Sequence, residues 1–220
     1  MIPTSVPDTL APGLSLARHR HRFAYATIVL EGSYEEAGDA GRITAQPGDV
    51  LFHAAFSAHL DRVGEQPARV LDLPLGDTAA AAFASIADAD ALVRLAERDA
   101  REAALGLAGM IEPAEEEIRS TADALAAALR APAPPRIADW AMDRSRSREA
   151  VSRQFCAVYG IPPAQYRLEA MARRAWRDVV AGTAGLAEIA CTTGFADQAH
   201  MTRAIARLTG TTPGAWRKAG

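Results

Sequence analysis

Residues 186–216 read LAEIACTTGFADQAHMTRAIARLTGTTPGAW. Leu186, Ile189 and Ala190 stand at i, i+3 and i+4, the spacing that puts apolar side chains on one face of a helix. Thr193, Gly194, Phe195 and Ala196 break that spacing, and Met201, Ile205 and Leu208 resume it. The stretch therefore predicts helix, tight turn, helix. Gly194 suits the turn because glycine takes a left-handed backbone without steric cost. Asp197 is placed to accept from the free N–H groups that open the second helix, and Gly210 and Pro213 end it. Two short helices joined by such a turn can set the second helix into a DNA major groove.

The pattern occurs twice. A shift of fifty positions superposes Val151 on Met201, Arg153 on Arg203, Phe155 on Ile205, Gly160 on Gly210, Pro163 on Pro213, Tyr166 on Trp216 and Arg167 on Arg217, which argues for a duplicated unit. Upstream, residues 137–141 parallel residues 186–190 at an offset of forty-nine, so the two turns differ by one residue. The first turn, residues 142–146, has Ser145 where the second has Gly194, and Ser147 is the predicted cap of a helix running to about Tyr159. Pro162 and Pro163 can open the next helix, where a missing N–H costs nothing. Leu168, Met171, Ala172, Ala175, Trp176 and Val179 share one of its faces, so a single long helix is predicted to connect the two units.

These residues resemble the DNA-binding region of AraC/XylS-type transcription regulators. The resemblance lies in the two helix-turn-helix units, the connecting helix after Gly160-x-Pro162-Pro163-x-x-Tyr166, and the ending Gly194-Phe195-Ala196-Asp197-Gln198…Arg203…Gly210-Thr211-Thr212-Pro213-x-x-Trp216-Arg217. It covers residues 137–218. Two positions depart from it: Met171 stands where the connecting helix of the family commonly has Arg, and Ser145 replaces the usual turn glycine. The resemblance implies base contacts from Glu149, Ser152 and Arg153 in the first unit and from Gln198, His200, Thr202 and Arg203 in the second. The chemistry suits that role. Arg bonds guanine at two points, Gln suits adenine, Glu accepts from cytosine, and the Thr methyl meets that of thymine. Arg144, Arg146, Arg148, Arg173, Arg174 and Arg217 are candidates for phosphate contact, which sets register without reading sequence.

Charge is divided along the chain as this reading requires. Residues 136–220 carry thirteen Arg plus Lys and seven Asp plus Glu, a balance of +6, against −9 for residues 1–135. A net charge of −3 thus hides a basic C-terminal part suited to a phosphate backbone. At 220 residues and 49% apolar composition the chain has room for two domains with real cores. No apolar run is long enough for a membrane span and no signal peptide is recognisable, so a cytoplasmic location is expected. Cys156 and Cys191 fall in different predicted helices, which argues against a disulfide or a cysteine-built metal site and predicts two buried, small apolar side chains.

Residues 16–75 read as β-structure: Thr27-Ile28-Val29-Leu30, Arg42-Ile43-Thr44, Val50-Leu51-Phe52 and Val70-Leu71-Asp72-Leu73 are short strands separated by Gly and Pro turns, as in a small barrel. His19-x-His21, the Leu-Glu-Gly-Ser turn and the Pro-Gly-Asp segment leading to His59 resemble a cupin, a fold that often supplies the sensor half of this regulator family. His19, His21 and His59 sit where metal-binding cupins place ligands, but the carboxylate such cupins carry after the His pair is missing, and Ala24 and Tyr25 occupy those positions. The resemblance thus implies effector binding by His19, His21, Tyr25 and His59, with no cofactor assigned. A metal held by the three histidines, in a sensor or a metalloenzyme, is the alternative.

Residues 77–130 are Ala-rich and predicted helical, either packing on the barrel or forming a dimer interface. Residues 131–135, Ala-Pro-Ala-Pro-Pro, read as a linker. The whole is an α+β chain: a cupin-like sensor domain (1–76), a helical segment (77–130), the linker (131–135) and a two-headed DNA-binding domain (136–220). It is expected to be a non-enzymatic transcription regulator, in the family an activator or repressor, with double-stranded DNA, a small-molecule effector and RNA polymerase as partners, acting as a homodimer and not at a membrane.

Overall fold

Alternating apolar residues followed by turns dictate a β-rich first half. In the computed structural model, which describes residues 5–76, 82–114 and 118–219, the strands are β1 (Asp8–Leu10), β2 (Ser15–Arg20), β3 (Tyr25–Glu31), β4 (Tyr34–Gly38), β5 (Gly41–Ala45), β6 (Asp49–His53), β7 (Ala58–Val63), β8 (Ala68–Pro74), β9 (Phe83–Ile86) and β10 (Ile111–Ala114). They form two antiparallel sheets, six strands ordered β1-β8-β3-β6-β9-β10 and four ordered β2-β7-β4-β5. The barrel expected from the sequence is therefore two sheets face to face, with no ladder joining them into a closed ring among the described residues. Val29, Leu51, Val70 and Phe83 of the larger sheet meet Tyr34, Ala45 and Val63 of the smaller between them.

The outer face of the larger sheet is apolar too, with Ala26, Ile28, Val50, Leu71 and Leu73. Helices α1 (Ala89–Arg98) and α2 (Ala100–Gly106) and the turn Leu107–Gly109 cover it through Leu92, Ala96, Ala103 and Leu107. Asp88 caps α1 by accepting from Ala91 N, and Asp99 caps α2 by accepting from Arg101 N and Glu102 N. The Ala-rich segment is thus not wholly helical. Phe83 pairs with Ala114 and Ile86 with Ile111 at the edge of the larger sheet, where Phe83 packs between the sheets and Ile86 on the outer face under the helices. Leu105 of α2 points outward and is 74% exposed. The expected domain edge at 76/77 borders residues 77–81, outside the described residues.

The chain divides into two compact units at Ile118 and Arg119. The second holds α3 (Thr121–Arg130), α4 (Ile137–Met142), α5 (Arg148–Tyr159), α6 (Pro163–Ala181), α7 (Leu186–Thr192), α8 (Gln198–Thr209) and α9 (Pro213–Ala219). The Pro-rich stretch at 131–135 lies inside this unit, joining α3 to α4, rather than between domains. Helix α3 is held there by the fully buried Asp123, which accepts from Tyr159 Oη at 3.0 Å and from Ser120 Oγ at 2.8 Å. Arg174 Nη1 donates to the carbonyls of Arg130 and Ala131, each at 2.8 Å, and so pins the start of the Pro-rich stretch. Of the two cysteines, Cys156 is half-buried and Cys191 is exposed, so the expectation of two buried thiols does not hold for Cys191.

Asp123→Ala leaves the Tyr159 hydroxyl buried without its acceptor. The substitution should destabilise the helical unit by about 2–3 kcal/mol, the range for a buried hydrogen bond to a charged group; urea unfolding followed by helical circular dichroism measures it, and a change below about 0.5 kcal/mol would contradict the role given to Asp123.

Candidate functional site

The two helix-turn-helix units are built by the same local devices. Ser147 Oγ accepts from Ala150 N to open α5, and Asp197 Oδ1 accepts from His200 N to open α8. Both helices end on a left-handed glycine, Gly160 at φ 68° and Gly210 at φ 76°. The turns match as well: Arg146 N donates to Ala141 O and Phe195 N to Ala190 O, around Ser145 at φ 53° and Gly194 at φ 85°. Ser145 thus takes the backbone of the glycine it replaces. The single extra residue of the second unit, Ala196, follows the turn.

Helix α6 carries both units. Toward its start Tyr166 meets Phe155 and Tyr159 of α5 edge-on, at ring centroids 5.2 and 5.5 Å apart. Further along Trp176 meets Trp216 of α9 at 5.7 Å. Met171, buried on the same helix, packs beneath the second turn, where its Cε stands 3.6 Å from the position a Cβ on Gly194 would occupy. A thioether fills that space where the family commonly has Arg.

On α5, Glu149 and Arg153 are exposed and Ser152 is half-buried; on α8, Gln198 and Arg203 are exposed and Thr202 is half-buried. His200 is half-buried, its ring edge-on to Phe195 at 5.1 Å. The outward stripes are equivalent, since Glu149, Arg153 and Ala157 correspond to Ala199, Arg203 and Arg207 at the fifty-residue offset and all six are exposed. Arg146 and Arg148 are exposed, as is Arg144, whose guanidinium lies 3.9 Å over the Trp140 ring. The other three predicted phosphate ligands are placed differently. Arg173 is 5% exposed, Arg174 is bound to the α3 carbonyls, and Arg217 donates to Ala184 O at 2.7 Å. Burial withdraws Arg173 from any phosphate, and the guanidinium groups of Arg174 and Arg217 are already committed to backbone carbonyls.

A family of helix-turn-helix domains matches residues 140–219. These residues form an AraC-type DNA-binding domain. Solved structures similar to the chain include a transcriptional regulator with an AraC-type DNA-binding domain from Chromobacterium violaceum, 25% identical over 39% of this chain and 76% of that one, TM-score 0.36. They also include the DNA-binding domain of AdpA, a global transcriptional factor, in complex with a target DNA, 23% identical over 44% and 84%, TM-score 0.38. ToxT from Vibrio cholerae, bound to unsaturated fatty acid, is 9% identical over 96% and 93%, TM-score 0.40. No curated protein matches the chain. The matched domain supports a DNA-binding transcription regulator. Among the described residues no helix is long and apolar enough to cross a membrane.

In the N-terminal unit the predicted effector residues converge. His19 and His59 are cross-strand partners on β2 and β7. His21 Nε2 and Tyr25 Oη stand 3.0 and 3.1 Å from His59 Nε2. His59 Nδ1 faces two carboxylates, Asp61 Oδ1 at 3.0 Å and Glu36 Oε2 at 3.2 Å. Gly38 makes room for this ring, since a Cβ there would lie 2.7 Å from that of His59. Burial opposes the charged form of His59, but Glu36 and Asp61 outweigh it and push its pKa up to about 10. Burial, with the charge of His59, pushes His21 down to about 4.

The sequence reading missed the inner part of this cluster: Thr27, Glu36, His53, Asp61 and Asp72. Tyr25 stacks on His53 at 4.3 Å, and the Thr27 hydroxyl donates to Asp72 at 2.7 Å while lying 3.3 Å from His53 Nε2. The spacing of two that joins Leu51 to His53, and His59 to Asp61 and Val63, was the available signal, because it puts these side chains on the buried faces.

Two outcomes follow. Holding Ser145 in a left-handed backbone costs roughly 1–2 kcal/mol, more than the added backbone entropy of glycine, about 0.5–1 kcal/mol. Ser145→Gly should therefore raise the Tm of the AraC-type domain, and a lower Tm would contradict the equivalence of the turns. Since the folded pKa of His59 lies above its ordinary 6.5, its ion-pair contribution is full below pH 6.5 and is lost as pH rises through about 10. The stability difference between wild type and His59→Gln should shrink over that window in urea unfolding; a difference that grows would overturn the charge assignment.

Proposed function

We propose that the chain is a sequence-specific regulator that lays α5 and α8 in successive major grooves of one duplex while its N-terminal unit senses a small-molecule effector. The observation that carries this reading is the repeated unit itself: two capped helices with Arg153 and Arg203 exposed at equivalent positions. Helix α6 spaces the two heads. Its 19 residues at about 1.5 Å each extend roughly 28 Å, of the order of one duplex turn, about 34 Å. Glu149, Ser152, Arg153, Gln198, His200, Thr202 and Arg203 contact bases, and Arg144, Arg146 and Arg148 hold phosphates. The effector enters by the half-exposed His19 and His21 and meets Tyr25 and His59. Its differential affinity for two arrangements of the protein is what couples it to DNA. A cytoplasmic homodimer acting through RNA polymerase completes the proposal; no catalysis and no cofactor are part of it.

Selection from a random DNA pool gives the target, and Arg153→Ala and Arg203→Ala are then compared on it. Each should weaken specific binding by about 1–3 kcal/mol and relax the sequence preference at one position, while binding to random DNA at low salt persists. Equal losses on target and random DNA would contradict base reading by these residues.

A further inference from the structure

The N-terminal unit contains a ligand set that the regulator reading does not use. Glu36 on β4, His53 on β6 and His59 on β7 are 3%, 4% and 6% exposed, and one donor atom of each lies within 4.8 Å of the others. Their hydrogen bonds leave acceptors facing one another. The Thr27 hydroxyl gives its proton to Asp72, so it can only accept from His53 Nε2–H, 3.3 Å away. The other nitrogen of a neutral His53, Nδ1, then turns a lone pair toward Glu36 Oε1 at 3.8 Å. Glu36 Oε2 makes no well-aligned hydrogen bond. Its neighbour is His59 Nδ1 at 3.2 Å, whose single N–H is directed to Asp61.

The His53 Nδ1 lone pair and the unbonded Glu36 Oε2 lie in one buried pocket beside His59 Nδ1–H, where a metal cation can take the place of that proton. We propose that Glu36, His53 and His59 bind a divalent late first-row metal ion of the zinc class between the two sheets. The donors are chemically apt, since imidazole and carboxylate together suit zinc and its neighbours. The separations are apt as well. Ligands at about 2.0–2.2 Å from a tetrahedral zinc stand roughly 3.3–3.5 Å apart; two of the three pairs here, from the two Glu36 oxygens to His59 and His53, stand at 3.2 and 3.8 Å, and all three donors lie within 4.8 Å of one another. The ion takes the place of the proton on His59 Nδ1, leaving Nε2–H to bond His21. Asp61 stands beside it as a candidate fourth ligand and second oxygen donor, 3.0 Å from the same nitrogen. A second set, His19, His21 and His59, lies nearer the surface but has no carboxylate among its ligands, and two of its nitrogens already face each other at 3.0 Å.

The test uses the full chain, stripped with chelator and titrated with Co2+ alone, without DNA, while visible d–d absorption is recorded. One equivalent should bind and be displaced by Zn2+. Glu36→Gln and His53→Gln should each weaken binding about tenfold or more, whereas His19→Ala/His21→Ala should bind within about threefold of wild type. No Co2+ binding by the wild type, or binding that needs His19 and His21 but not Glu36 and His53, overturns the proposal. If the two Gln variants fail to fold by near-ultraviolet circular dichroism, the His19→Ala/His21→Ala protein decides: stoichiometric Co2+ supports the inner site and its loss overturns it. Target DNA binding by the same preparation is a separate readout, so an absent metal leaves the regulator reading standing.

Discussion

The C-terminal half depends on one packing constraint, that two copies of a small unit share α6. Each unit closes over a different stretch of the same helix. Tyr166 seats the first copy against Phe155 and Tyr159, while Met171 and Trp176 seat the second against Gly194 and Trp216. Because a helix is stiff over 19 residues, the reading faces are fixed along the axis by covalent geometry as much as by side-chain contact. Helix α3 joins that core through Asp123 and Tyr159. The unit that positions the heads is therefore larger than the stretch matched at residues 140–219.

The N-terminal unit solves a different problem. The space between its sheets is apolar at one end, around Tyr34, Leu51 and Val63, and polar at the other, where histidines and carboxylates replace hydrocarbon. Groups buried in this way are tolerated only when each finds a partner. Most do, in a run from Asp72 through Thr27 and His53 on one sheet and from Asp61 through His59 to His21 between strands of the other and its edge. Glu36, lying between those runs, is the group whose needs are least met.

The sequence disclosed the second half far more fully than the first, for physical reasons. Helix caps, left-handed glycines and a repeated apolar period are local signals, and they placed both turns, both second helices and the connecting helix. Strands β4 and β7 went unread because their buried positions hold Glu36, His59 and Asp61 rather than hydrocarbon, so the alternation that marks a strand was masked by the residues that make the site. Strands β9 and β10 were hidden by alanine, whose helix propensity yielded to pairing at a sheet edge. Arg173, Arg174 and Arg217 were read as surface charge because composition cannot show whether a guanidinium faces water or a helix carbonyl. The Pro-rich stretch at 131–135 was read as a boundary because the tie between Asp123 and Tyr159 spans 36 residues of chain.

The central claim is that α5 and α8 grip one duplex at a separation set by α6. It is tested most directly by inserting five base pairs, half a helical turn, between the two protected segments of a selected target and measuring affinity at constant salt. The account predicts that affinity falls to the level of a target carrying one segment alone and that a ten-base-pair insertion does not restore it, since α6 does not lengthen. Binding that survives the half-turn insertion unchanged would contradict it.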